Sequence, residues 1–191
     1  MSGTGYYLYH NENRWKRILS WLHLDDPINQ RGTGMQQYRA LLAFGNGGAS
    51  GVGLGNGAEK FGTLTFAHID FIFPMVGEEL GLIGTLGAVL CYVVIAVSGA
   101  MISAQASNPF DRTLALALTV VIVLPAMQNI AVVTALLPND GLPLPFVSFG
   151  GTSLIGMMMA VGLLCGVHRR SRGEIRKALP GNAFGTYAVK L

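Results

Sequence analysis

Residues Leu80 to Ile102 read LGLIGTLGAVLCYVVIAVSGAMI, with no charged side chain from end to end. At ~1.5 Å of rise per residue, such a run crosses the ~30 Å hydrocarbon core of a bilayer as one helix. Between Leu80 and Val167 the only charges are Asp111, Arg112 and Asp140, so Thr113 to Leu137 and Phe146 to Val167 form two further uncharged runs of similar length. Surface helices of a soluble domain keep a polar stripe; three helices of this length with no charged face belong in lipid. The mean hydropathy of +0.46 conceals this because the first third of the chain is polar. The expected fold is an all-α, polytopic membrane bundle. It comprises an extracytoplasmic segment 1–79, transmembrane helices at about 80–102, 113–137 and 146–167, and a basic cytoplasmic tail 168–191.

The orientation rests on His168, Arg169, Arg170, Arg172, Arg176 and Lys177, which crowd directly behind the last run. Basic flanks stay in the cytoplasm, so residues 103–112 become an inner loop and 137–145 an outer one. Arg14, Lys16 and Arg17 resist translocation, and no charged-then-apolar signal precedes them, so membrane helices are expected upstream of Met1. The pI near 9.0 reflects cations at the membrane edge, where they meet anionic headgroups; no nucleic-acid partner is implied. Cys91 and Cys165 fall inside apolar runs and read as small packing groups.

In the outer segment, Arg14 to Leu24 reads as a short basic helix with Trp15 and Trp21 at headgroup level, ended by Asp25-Asp26-Pro27. Met35 to Phe44 reads as a second interfacial helix. Gly45 to Gly57 carries seven glycines in thirteen residues, a loop open to close approach by another group. Gly53-Leu54-Gly55 with Ala58 matches a dinucleotide fingerprint on paper, but no strand precedes it. Phosphate loops, nucleophile turns and Cys/His metal spacings are absent from the sequence, which excludes the common soluble enzyme templates.

Chemistry concentrates in Ala67-His68-Ile69-Asp70-Phe71-Ile72-Phe73-Pro74-Met75-Val76-Gly77-Glu78-Glu79-Leu80-Gly81. Pro74 suits the first turn of a helix, which leaves Asp70 just ahead of it and Glu78 and Glu79 a turn or more inside. Continuous helix would separate Asp70 from Glu78 by ~12 Å, too far for a close acid/base pair. One carboxylate facing a substrate cavity, with the others structural, is the expected division of labour, and Asp70 is the better candidate base. By spacing alone Asp70 also reads as a helix-start residue, and His68 as a solvated loop residue.

This stretch resembles the signature of the SEDS family of FtsW, RodA and SpoVE, which reads His-Thr-Asp-Phe-Ile-Phe followed by Glu-Glu-Leu-Gly. Gly53-Leu54-Gly55-Asn56 with Lys60 resembles the loop before that signature. Gly141-Leu142-Pro143-Leu144-Pro145-Phe146-Val147-Ser148-Phe149-Gly150-Gly151-Thr152-Ser153 resembles the family's Gly-Leu-Pro-Leu-Pro-Phe-Ile-Ser-Tyr-Gly-Gly-Ser-Ser. The likeness runs from about Arg14 to Arg170 and corresponds to the C-terminal half of a ten-helix fold.

The resemblance implies a peptidoglycan glycosyltransferase of the bacterial cytoplasmic membrane. Such enzymes polymerise lipid II outside the membrane and work with a class B penicillin-binding transpeptidase. Asp70 then falls on the family's essential Asp, the base for the acceptor sugar's 4-hydroxyl. Going from an α-linked diphosphate to a β-1,4 bond is inversion in one displacement, which needs one base and neutralisation of the leaving group. Lys60 and Arg39 are candidate diphosphate partners and otherwise basic residues on a wet loop; a divalent cation would serve as well, and no cofactor is certain. His68, Glu78, Glu79, Ser148, Thr152 and Ser153 are further candidate substrate contacts. The last three also read as cap and packing residues beside Gly150-Gly151. Gln128 and Asn129, after Pro125, suit bonds across helices or to the backbone that Pro125 frees.

Ile69 in place of Thr, Leu64-Thr65-Phe66 in place of Leu-Pro-Glu, and Ala131 and Ala135 in place of glycines depart from the pattern near the substrate cavity. Gly77 before the two glutamates resembles the division branch. Two rival functions are a lipid II transporter and an inactive truncated paralogue acting as an interaction module. The piece by itself is expected to be inactive.

Overall fold

The computed structural model describes residues 12–32, 34–57, 71–148 and 150–178. Among them every regular element is a helix: α1 Glu12–Leu22, α2 Pro27–Arg31, α3 Met35–Gly47, α4 Ile72–Gln105, α5 Pro109–Val133 and α6 Gly151–Ala178. Three stretches, Ile72–Gln105, Pro109–Val133 and Gly151–Gly173, are long and apolar enough to cross a membrane. The all-α class with three membrane-length helices is therefore as expected. Large apolar side chains stand outward, Ile83 at 73% exposure and Met127 at 62%, a surface suited to hydrocarbon rather than water.

The helices do not coincide with the uncharged runs. α4 starts at Ile72, ahead of the run at Leu80, because Pro74 is accommodated in its first turn, where no intrahelical donor is required. α5 stops at Val133, short of Leu137, as Ala135 takes a left-handed φ of 58° and turns the chain. α6 begins only at Gly151, since Pro143, Pro145 and Phe146, the last with φ 66°, hold the preceding stretch out of helix.

Two units organise the chain, one of residues up to Cys91 with Leu124–Gly151, the other Tyr92–Val123 with Thr152 onward. In the second, Ala115, Leu164 and Val167 form a buried core against Ile102, Leu114 and Leu118. Polar ties secure one end of it. Ser103 donates to the Arg112 carbonyl (3.0 Å), Ser171 donates to the Gln105 carbonyl (2.7 Å), and Arg170 Nε lies 3.7 Å from Asp111 Oδ2. Asp111 is buried in the first turn of α5, where the helix dipole favours a negative charge.

Where α4 meets α5 in this unit, a Cβ on Gly99 would overlap the Thr119 side chain, including its Cβ. Gly99→Leu is thus expected to overpack the contact and cost about 1–3 kcal/mol, read as a lowered melting temperature in detergent. Gly45→Ala, in a helix with nothing within 4 Å of the new methyl, is expected to hold or slightly raise it.

Candidate functional site

α4 is not one helix. Gly81 adopts φ 66° and ψ −160°, so the chain forms a half-helix over 72–80 and restarts at 82. A break leaves carbonyls at the end of one piece and N–H groups at the start of the next without helical partners. The glycine-rich stretch supplies both. Val52 and Gly53 donate to the carbonyls of Glu78 (3.0 Å) and Glu79 (3.1 Å), while Leu82 and Ile83 donate to the carbonyls of Gly48 (3.0 Å) and Ala49 (3.4 Å). Residues 48–53 act as a strap across the break, at a spacing only glycine allows. A Cβ on Gly51 would overlap the Glu79 carbonyl, and one on Gly47 would overlap the Gly77 carbonyl. The glycines expected to admit another group closely here admit a second stretch of backbone.

Lys60, His68 and Asp70 lie outside the described residues, between Gly57 and Phe71. Gly57 is buried beside Glu78, whose Oε2 would stand 2.9 Å from a Cβ at that position. Phe71 and Phe73 are each 3% exposed, and Phe73 meets Phe44 of α3 edge-on at a centroid distance of 5.9 Å. Of the two glutamates, Glu78 is 1% exposed and Glu79 half-buried. Arg39 is half-buried on α3.

α3 is anchored by a residue the sequence did not mark. Gln37, 2% exposed, donates through Nε2 to the carbonyls of Val132 (2.9 Å) and Leu137 (2.7 Å), at and just beyond the end of α5. Asn139 donates to Gln36 Oε1 (2.9 Å), and Trp21 Nε1 to the Ala135 carbonyl (2.7 Å), so this indole has a protein partner. Gln37→Leu removes the donor to both carbonyls, of which that of Val132 keeps the bond from the Ala135 N–H (3.0 Å). It is expected to destabilise the fold by about 1–3 kcal/mol, measured as a loss of melting temperature in mild detergent.

The Gly141 to Ser148 stretch is tied down in the same unit. Asn129 donates to the Leu142 carbonyl (2.6 Å), so its partner is the non-helical stretch before α6 and not another helix. Ser148 Oγ accepts from the Leu144 N–H (2.7 Å), closing the turn that its own N–H also closes onto the Leu144 carbonyl (3.0 Å). Its side chain thus serves a local turn rather than the start of α6. Thr152 and Ser153 sit in the first turn of α6. Beside the break in α4 lies a cleft of about 300 Å³ lined by Phe44, Phe73, Leu82, Val89 and Ile130. Its hydroxyls, Thr85 and Thr134, donate to the Leu82 (3.0 Å) and Ile130 (2.8 Å) carbonyls, leaving an apolar wall. No three His, Cys, Asp or Glu side chains gather to hold a metal ion among the described residues.

A profile of the FtsW, RodA and SpoVE family, described as cell cycle protein, matches residues 2–173. Over 170 residues the chain is 44% identical to the probable peptidoglycan glycosyltransferase FtsW of Geobacter metallireducens, covering 88% of this chain and 44% of that protein. It is 42% identical over 160 residues to the stage V sporulation protein E of Bacillus subtilis, covering 83% and 43%. A third relative, the probable peptidoglycan glycosyltransferase FtsW of Marinobacter nauticus, is 37% identical over 174 residues, covering 88% and 43%. The chain thus spans less than half the length of these curated relatives.

Proposed function

The chain belongs to the FtsW, RodA and SpoVE family of cell cycle proteins, and from that membership we propose that it forms part of a membrane glycosyltransferase that polymerises lipid II, with Asp70 as general base. The observation that carries the proposal is the His68-Ile69-Asp70-Phe71-Ile72-Phe73 signature, in which Asp70 comes just ahead of α4 and its first residue Ile72. Support comes from the relatives' names and from the strapped half-helix that follows Asp70 in the sequence.

In the proposed reaction, the Asp70 carboxylate takes the proton of the acceptor sugar's 4-hydroxyl as that oxygen attacks the donor's anomeric carbon. The new glycosidic bond forms with inversion as the bond to the diphosphate breaks, and polyprenyl diphosphate leaves. Lys60 and Arg39 offset the charge of the leaving group, and the apolar cleft beside the break takes up part of the donor's hydrocarbon chain. His68, Glu79, Thr152 and Ser153 are the remaining proposed substrate contacts. The basic end of α6 lies in the cytoplasm and the 58–70 segment on the outer face of the inner membrane, where a class B transpeptidase meets the enzyme. The division branch is favoured because relatives named FtsW match at up to 44% identity.

The test is lipid II polymerisation by this chain joined in frame to the N-terminal part of the Geobacter metallireducens relative that it does not cover, with and without Asp70→Asn. Polymer from the parent and a rate lower by about 10²-fold or more from the variant supports the proposal; equal polymer from both overturns it. Transport of lipid II without polymer from either favours the transporter.

A further inference from the structure

α1 is turned the wrong way round for a helix that packs on a water-facing surface. Trp15, Leu19 and Leu22, spaced four and three apart, share one face, and they are 41%, 40% and 59% exposed. At ~100° per residue, Ser20 and Trp21 fall on the opposite side. There the helix meets the rest of its unit: Ser20 is buried, Trp21 Nε1 donates to the Ala135 carbonyl (2.7 Å), and Arg17 donates to the Asn139 carbonyl (3.5 Å). The hydrogen-bonding face is thus tied to the protein, and the apolar face stands away from it. An amphipathic helix on a soluble domain does the reverse.

The same ties fix the level of α1. α5 is long and apolar enough to cross a membrane and ends at Val133, so Ala135 and Asn139, just beyond it, lie at the edge of the hydrocarbon. Leu124 and Met127 on α5 are exposed, and so are Leu136 and Leu137 after it, so the lipid-suited surface runs on to the level of α1. Lys16, exposed beside Trp15 in the sequence, borders the apolar stripe with a charge that complements lipid phosphate. We infer that α1 is an in-plane membrane anchor: Trp15, Leu19 and Leu22 lie in the boundary between headgroups and acyl chains of the leaflet where α5 ends, with Lys16 at the phosphates. Trp21, whose indole is engaged by Ala135, takes no part, so of the two tryptophans only Trp15 marks the bilayer surface. Because α1 is fastened to the Ala135 and Asn139 carbonyls, the anchor sets the height of the turn after α5 relative to the lipid. This anchoring does not depend on the proposed catalysis.

The test is fluorescence quenching of the 191-residue chain in bilayers whose lipids carry bromine either high on the acyl chain or near its methyl end. Trp15 and Trp21 are the only tryptophans, so Trp21→Phe leaves Trp15 as the reporter. Shallow bromine is expected to lower its emission about twofold and deep bromine clearly less, as for a helix ~5–10 Å into the boundary. Equal or stronger quenching by deep bromine overturns the inference. So does emission that neither lipid moves: sensitivity to aqueous iodide then marks a water-facing helix, and insensitivity a face covered by protein, such as a second copy. Should Trp21→Phe fail to fold, the parent and Trp15→Phe give the same reading by difference. Shallow quenching lost with Trp15 supports the anchor, and quenching undiminished without it refutes the anchor. A fluorophore on Leu22→Cys, with every other cysteine replaced by alanine and read with shallow nitroxide lipid, repeats the measurement in the chain joined to the N-terminal part of the Geobacter metallireducens relative. Lipid quenching kept there supports the anchor; quenching lost there means that the N-terminal part covers the stripe, and overturns it.

Discussion

Asp70→Asn is expected to lower the kcat of lipid II polymerisation by about 10²–10⁴-fold and to leave KM within about twofold. Asn matches Asp in size and keeps one acceptor oxygen, so the acceptor sugar still binds. What it lacks is basicity. Without a group to take the hydroxyl proton, attack on the anomeric carbon builds a positive oxygen that nothing nearby relieves. Stabilisation of the departing diphosphate is untouched, so residual turnover above the uncatalysed rate is expected and does not conflict with the assignment. Initial rates against lipid II concentration separate the two constants, and an unchanged circular dichroism spectrum excludes misfolding. A mainly raised KM would instead make Asp70 a binding residue.

Gly51→Val is expected to cost about 4 kcal/mol or more, enough to remove the monodisperse folded peak in size-exclusion chromatography. Three penalties coincide there. Gly51 has φ 78°, a region unfavourable for a β-branched residue; a Cβ would overlap the carbonyl of Glu79; and the displaced strap would give up four backbone bonds across the break. Gly55→Ala isolates the first penalty, because φ is 84° but nothing lies within 4 Å of the added methyl. Its expected cost is about 1–2 kcal/mol, a shifted melting temperature with the folded peak intact. Comparable losses in the two variants would mean that backbone strain, and not the strap, dominates.

Three membrane-length helices were legible in the sequence because the absence of charge along a whole apolar run is a local property. The break at Gly81 was not. Gly81, Gly84 and Gly87 look alike in an apolar run, and what singles out Gly81 is backbone from residues 48–53 arriving beside it. Gln37 left no signal for the same reason: its partners are carbonyls 95 and 100 residues further on, and an amide among Met35, Gln36 and Tyr38 reads as surface. The ends of α4, α5 and α6 shifted from the uncharged runs because turns and caps, not hydropathy, decide where a helix stops. Asp70 stood out by its type and neighbours, whereas the burial of Glu78 against Gly57 needed the fold.

Trp21, Gln36 and Gln37 hold carbonyl and amide groups of residues 132–139, about a hundred positions later in the chain. Synthesis runs from the N-terminus, so α1 and α3 emerge long before the groups they fasten exist. The strap, by contrast, finds Glu78, Glu79, Leu82 and Ile83 at a much smaller separation along the chain, a short closure. Biogenesis therefore has an order written into its hydrogen bonds: the strap meets α4 first, and the side chains of Trp21, Gln36 and Gln37 wait for the end of α5 to be delivered. A nascent chain stalled before residue 132 would hold a capped α4 break with α3 packed on it through Phe44 and Phe73, but with Trp21, Gln36 and Gln37 still lacking their partners.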